Sequence, residues 1–130
     1  ADLGHPLPPT HRISSDFTRT GGTIGMRLAI EARLDYDVVV ATSDVMALGA
    51  RREASRSGIR IPRDVGLTGF GDVSTLIDVT PGLTTVRVPT GQLARLGLDL
   101  ALHGPGDGTG SVVVDAVPVM RDSTPRRNRG

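Results

Sequence analysis

Val38-Val39-Val40-Ala41-Thr42 runs into Ser43-Asp44-Val45-Met46-Ala47-Leu48-Gly49-Ala50, and Val65-Gly66-Leu67-Thr68-Gly69-Phe70 runs into Gly71-Asp72. Each stretch is a β-branched-rich strand that ends in small and acidic residues. A helix-length segment joins them, so the unit reads strand–helix–strand. A parallel crossover of this kind brings both strand ends to one edge of the sheet, and in open α/β sheets ligands bind at that edge. The fold class expected is therefore α/β, an open and mainly parallel sheet flanked by helices.

The joining helix begins at Ser43 or Asp44, either of which can cap it, and runs to Ser57. Ala47, Ala50 and Ala54 share one face of it, while Arg51, Arg52 and Arg56 mark the solvated side. Gly58 is a natural stop, reinforced by Ile61-Pro62. Upstream, Asp16 to Thr20 supplies helix-starting side chains ahead of Ile24, Leu28 and Ala32, an apolar stripe at helical spacing. Arg12-Ile13-Ser14 reads as a short strand, and residues 38–41 as a buried one. Downstream, residues 84–88 form a strand, and Thr90 opens a helix with Leu93, Leu96, Leu100 and Ala101 on one side. Residues 104–110 are a Gly-rich turn, and residues 111–115 and 117–121 a final extended stretch. Residues 72–82 are loop or short helix, and residues 1–9 the frayed end of a helix followed by a turn.

Composition excludes several classes of chemistry. The chain has 130 residues with 15 basic and 14 acidic side chains, a net charge of +1 that speaks against a nucleic-acid-binding body. Every base is arginine, so neither a Schiff-base lysine nor a phosphate-loop lysine is available. Without cysteine there is no disulfide, zinc-thiolate site or thiol nucleophile, which fits the cytoplasm. His5, His11 and His103 lack metal-ligand spacing, and no G-x-S-x-G elbow marks a hydrolase. Gly21-Gly22-Thr23-Ile24-Gly25 lacks the strong preceding strand of a nucleotide loop and reads as a helix start. No apolar run approaches the ~18 residues of a membrane span. No catalytic residue, metal site or cofactor is expected. The first residue is Ala1 and not Met, as in a processed product or a piece of a longer chain.

The ordered set of these elements resembles the carboxyl-terminal part of a lactose-repressor-family transcriptional regulator. The residues that carry the resemblance are Asp16-Phe17-Thr18, Gly22, the helix start at 43–50, and Ser57-Gly58-Ile59-Arg60-Ile61-Pro62-Arg63-Asp64-Val65. They continue through Gly69-Phe70 and Pro81-Gly82-Leu83-Thr84-Thr85-Val86 to Met120-Arg121-Asp122-Ser123. The fold this implies is the second lobe of a periplasmic-binding-protein-like sensor, here partial. Residues 1–122 would form the lobe and residues 123–130 a flexible basic tail. The DNA-binding helix-turn-helix, the first lobe and the opening strand and helix of this lobe lie outside the matched stretch.

By resemblance, Phe17 packs on the ring of a bound sugar or nucleobase, Ser43 stands where a family Asn or Asp grips ligand hydroxyls, and Asp44 is the acid beside it. Gly71 replaces an Asp that usually holds the ligand, while Asp72 remains. Each position also has a local reading: Phe17 as a hydrophobic staple, Ser43 and Asp44 as caps, Asp72 as a turn former. The function implied is the ligand-sensing and dimerising portion of a cytoplasmic regulator, not an enzyme. Its expected partners are a small-molecule effector, a second copy in a homodimer, and DNA only through a head outside these residues; no membrane partner is expected. The rivals are a periplasmic solute-binding protein of a transporter and a degenerate fragment kept for dimerisation.

Overall fold

Gly22 and Gly49 set the arrangement of the two central helices. A computed structural model of the chain describes residues 6–74, 78–104 and 111–124. Helix α1 spans Arg19–Glu31 and α2 spans Asp44–Arg56. A Cβ on Gly22 would fall on the Met46 carbonyl, and one on Gly49 on the Arg19 carbonyl, so the two backbones touch where neither residue carries a side chain. The Thr23 hydroxyl donates to the Gly49 carbonyl at 3.2 Å, and Arg27 Nε pairs with Glu53 Oε1 at 3.1 Å. From Thr23–Gly49 to Arg27–Glu53 the pairs advance together, so α1 and α2 run parallel, with their first turns in contact at Gly22 and Met46.

This contact changes which face of α1 is buried. The expected stripe of Ile24 and Leu28 is half exposed, whereas Gly21, Gly22, Met26 and Ala29 are buried. Close backbone approach selected the glycine face over the bulkier apolar one. On α2 the expected face holds: Ala47, Ala50 and Ala54 are buried. Arg52 and Arg56 are exposed as expected, but Arg51 is half buried and donates to the Pro81 carbonyl at 3.0 Å.

Strand β1, Val38–Val40, pairs in parallel with β2, Gly66–Thr68, in the register Val38↔Gly66, Val39↔Leu67, Val40↔Thr68. The strand–helix–strand unit read from the sequence is therefore present, with α2 as its crossover. Strand β3, Thr85–Arg87, pairs antiparallel with β4, Val117–Val119. Parallel bridges Thr68↔Thr84 and Gly71↔Arg87 join the two ribbons. The core between helices and sheet is small: Met26, Ala41, Ala47, Ala50, Ala54, Leu67 and Leu83.

Residues 38–41 were expected to be buried throughout. Alternation along the strand divides them instead: Val39 and Ala41 face the core, while Val40 is 75% exposed. The helices thus cover one face of the sheet only. Residues 12–15 form no strand, and an apolar groove is lined by Ile13, Met26, Ala29, Val39 and Ala50. Helix α3, Thr90–His103, has the expected bounds but buries no residue, and Leu98 and Leu102 are exposed.

Ser123, expected to begin a flexible tail, is instead buried between strands. Its hydroxyl donates to the Leu67 carbonyl at 2.6 Å and accepts from the Thr84 amide at 2.7 Å. Its own amide and carbonyl bond Gly82 and Leu67. The rest of the expected tail from residue 125, the Gly-rich turn beyond Gly104 and residues 1–5 lie outside the described residues.

Candidate functional site

Three chain segments meet at the carboxyl edge of the parallel strands. The first is the start of α1, where Thr18 caps the helix by accepting from the Gly21 amide at 3.0 Å. Phe17 precedes it and is 70% exposed, so its ring is no buried staple. The second is the start of α2, where Ser43 is the cap and accepts from the Met46 amide at 3.2 Å. The third is the end of β2: the Asp44 amide donates to the Phe70 carbonyl at 3.0 Å, tying the helix start to the strand end.

Asp44 does not cap. It sits in the first helical position, nearly fully buried, with Oδ1 accepting from the Thr85 hydroxyl at 2.5 Å and Oδ2 from the Val73 amide at 2.8 Å. A carboxylate in the first turn of a helix is also favoured by the backbone field there. Its two oxygens thus hold β3 and the loop after Gly71 against α2.

Asp72 is held just as firmly. Its side chain is 11% exposed, with Oδ2 at 2.6 Å from Arg87 Nε and Oδ1 at 2.5 Å from Arg121 Nη2. Hydrogen bonds from Arg121 and then Arg87 keep this carboxyl below the ordinary carboxylate range. Arg121 also donates to the Leu83 carbonyl at 2.8 Å. Asp44, Asp72, Val73, Ser74, Leu83, Arg87 and Arg121 line one cleft. Both carboxylates read as ligand candidates are therefore engaged within the chain, whereas Phe17 is open and Ser43 is buried, with its hydroxyl oxygen on the Met46 amide.

Gly71 has φ +130°, a conformation that L side chains rarely adopt, and its amide donates to the Val86 carbonyl at 2.8 Å. Space is not the obstacle to a side chain there, since the nearest side-chain atom to a built Cβ is Val73 Cγ2 at 3.5 Å. The backbone conformation is. Sequence reasoning missed Arg87, Arg121 and Thr85, although all three stand within or beside the motifs that carried the resemblance. The signal available was charge: an acid at 72 and two arginines at the ends of the later strands.

Residues 2–124 match the family described as periplasmic binding protein-like domain. The chain belongs to that family. Among its relatives, it is similar to the HTH-type transcriptional repressor CytR of Escherichia coli K12, at 32% identity over 124 residues. That match covers 93% of this chain and 36% of the repressor, so the chain spans about a third of its relative's length. A solved regulator of the LacI family from Sanguibacter keddieii superposes with a TM-score of 0.79 at 27% identity, covering 92% of this chain and 46% of that one. The transcriptional regulator CelR, solved with cellobiose, superposes with a TM-score of 0.76 at 32% identity, covering 92% and 38%. Within the periplasmic-binding-protein-like family, the chain thus stands with the effector-binding domains of LacI-family regulators, and the expected α/β fold is confirmed. The relatives are transcriptional repressors, not enzymes. Among the described residues no group of acids and histidines could hold a metal ion, and no helix is long and apolar enough to cross a membrane.

Proposed function

We propose that this chain is the effector-sensing and dimerising part of a cytoplasmic bacterial transcriptional regulator. What supports this reading is that the start of α1 packs on the start of α2 at Gly22 and Met46, and that α2 is tied to the strand end at Phe70. Phe17 is exposed just ahead of the first helix, and Ser43 caps the second. A small effector would lie there between this lobe and a facing one, closing the two. It would shift the regulator between DNA-binding states by its differential affinity for them. DNA itself would be read by a helix-turn-helix outside these residues.

In this reading the exposed Phe17 ring packs on the flat face of a sugar or nucleobase. The Ser43 hydroxyl donates to a ligand oxygen, and the bare backbone at Gly71 lets the ligand approach closely. Asp44 and Asp72 contribute chiefly by fixing the segments that surround it. With a short Ser43 and no side chain at Gly71, one or more charge-assisted hydrogen bonds are missing. Each such loss costs about 1.5–3 kcal/mol, roughly ten- to a hundred-fold in affinity. Neutral hydroxyl-rich sugars should therefore bind weakly.

Calorimetric titration of the chain against a panel of sugars, nucleosides and nucleobases tests the reading. Weak binding that is lost in Phe17→Ala and Ser43→Ala supports it. No heat from any member at millimolar concentration, with the chain folded, counts against an effector role. Tight binding of a neutral sugar would refute the weakened grip.

A further inference from the structure

Asp72 joins three parts of the molecule that the sheet alone holds loosely. The loop carrying it leaves β2 at Phe70–Gly71, and Asp72 itself takes φ +53°, a left-handed conformation that Asp and Asn tolerate better than most residues. Its two carboxylate oxygens then serve different strands, Oδ2 binding Arg87 at the end of β3 and Oδ1 binding Arg121 just past β4. Between those strands the chain makes its excursion through α3, in which no residue is buried. The backbone link from the loop to β3 is slender, an isolated bridge at Gly71↔Arg87 with the Gly71 amide on the Val86 carbonyl. Arg121 stands at the ribbon's other end, where its amide donates to Thr84 Oγ1 at 2.9 Å. The remaining contacts to the sheet lie there too, around Thr84, Thr85 and Ser123, so Asp72 reaches both ends of the ribbon.

We propose that Asp72 is a positioning residue, a clamp that makes the Phe70–Gly71 loop and the β3–β4 ribbon move as one body through Arg87 and Arg121. The proposal rests on the effector reading only for its consequence, since a clamp here would pass any displacement of the Phe70–Gly71 edge to the α3 excursion. The left-handed backbone aims the side chain between the strands, and the two guanidinium groups approach its oxygens from separate strands. An ordinary surface ion pair would fix one partner; this one spans both legs of the ribbon.

Amide hydrogen exchange on the unliganded chain tests the clamp independently of any effector. Asp72→Asn keeps the shape and the tolerance of left-handed φ but removes the charge. It should speed exchange about tenfold at Gly71, at 85–87 and at 117–121 together. The Ala41 and Gly66 amides, which bond Thr68 and Asp37, should keep wild-type rates. Arg87→Gln removes only the arm whose side chain is 61% exposed, and should loosen Gly71 and 85–87 about threefold while sparing 117–121. This two-leg against one-leg pattern is one that general destabilisation would not produce. Exchange that rises uniformly, or that stays unchanged at both legs in Asp72→Asn, overturns the proposal. Should Asp72→Asn fail to fold, Arg87→Gln decides alone: loosening confined to the β3 leg and Gly71 supports the clamp, and unchanged rates there overturn it. Failure of the effector titration leaves this pattern standing, so the two readings can fall separately.

Discussion

The Thr85 hydroxyl lies 2.5 Å from Asp44 Oδ1, joining the first turn of α2 to the start of β3 across 41 residues of sequence. Both partners are buried, and the other Asp44 oxygen takes the Val73 amide. Asp44→Ala would strand the Thr85 hydroxyl without its acceptor. We expect a loss of about 2–3 kcal/mol, read as a lower midpoint in urea denaturation with an unchanged slope. Wild-type stability in the variant would show that water replaces the carboxylate at no cost.

Gly22 and Gly49 give a second prediction, with competing terms. Alanine in a helix interior is favoured over glycine by about 1 kcal/mol, so propensity alone predicts stabilisation. Here a methyl group at either position meets the backbone of the other helix, whose carbonyls cannot rotate away. Separating two packed helices by an added carbon costs typically 1–3 kcal/mol and should outweigh the propensity gain. Both Gly22→Ala and Gly49→Ala are expected to lower the thermal midpoint, and a rise in either would mean that the helix contact is softer than drawn.

The legibility of this chain follows from which forces are local. The crossover unit, the Ala47–Ala50–Ala54 face and the extent of α3 could be read because period and caps are written within a dozen residues. The buried face of α1 could not, because Ile24 and Leu28 look like a core stripe until a second helix is known to approach through Gly22. The half-exposed β1 was missed for a related reason: an unbroken valine run does not say whether one or both faces of its sheet are covered. At the site, Phe17 and Ser43 were legible as residues, and the place of Ser43 at the sheet edge followed from the crossover. The pairing of Asp72 with Arg87 and Arg121 was not legible, since it links positions 15 and 49 residues apart. Ser123 was hidden likewise, a small polar residue beside a basic terminus whose partners are Leu67 and Thr84.

A pH effect is expected at the turn that follows α2. The Asp64 carboxylate accepts from the Arg60 amide, Nε and Nη2, each at 2.8 Å. Hydrogen bonds from the Arg60 side chain and then its backbone lower the Asp64 carboxyl from 3.8 to about 2. A carboxyl depressed on folding binds its proton more readily in the unfolded chain. Its contribution is therefore fully present above pH 3.8 and is lost as pH falls through about 2. Carbon-detected NMR titration should place the Asp64 midpoint near that value, with the Arg60 amide shift following the same curve. A midpoint at the ordinary value would mean that the fork is open in solution.

Phe17 separates packing from recognition. A ring that is 70% exposed contributes little to the core, so Phe17→Ala should change stability by no more than about 0.5 kcal/mol. If the ring stacks on an effector, the same variant should weaken binding by about tenfold or more, seen by calorimetry with whichever compound binds the unmodified chain. A large loss of stability would restore the staple reading. Unchanged affinity would remove Phe17 from the site.

Adding an acid at Gly71 is the informative counter-experiment. Considered by charge alone, Gly71→Asp supplies the missing carboxylate and should tighten a hydroxyl-rich ligand. With φ at +130°, however, any side chain there carries strain of about 1–3 kcal/mol, and the Gly71 amide must keep its bond to Val86 for the loop to stay in place. We therefore expect the variant to unfold at a lower temperature and to gain no affinity for sugars. The loop would relax before the carboxylate reached a ligand. Parallel thermal denaturation and titration decide between the two outcomes. Unchanged stability with tighter sugar binding would show that the loop accommodates an acid, and that the departure at Gly71 alone sets the ligand preference.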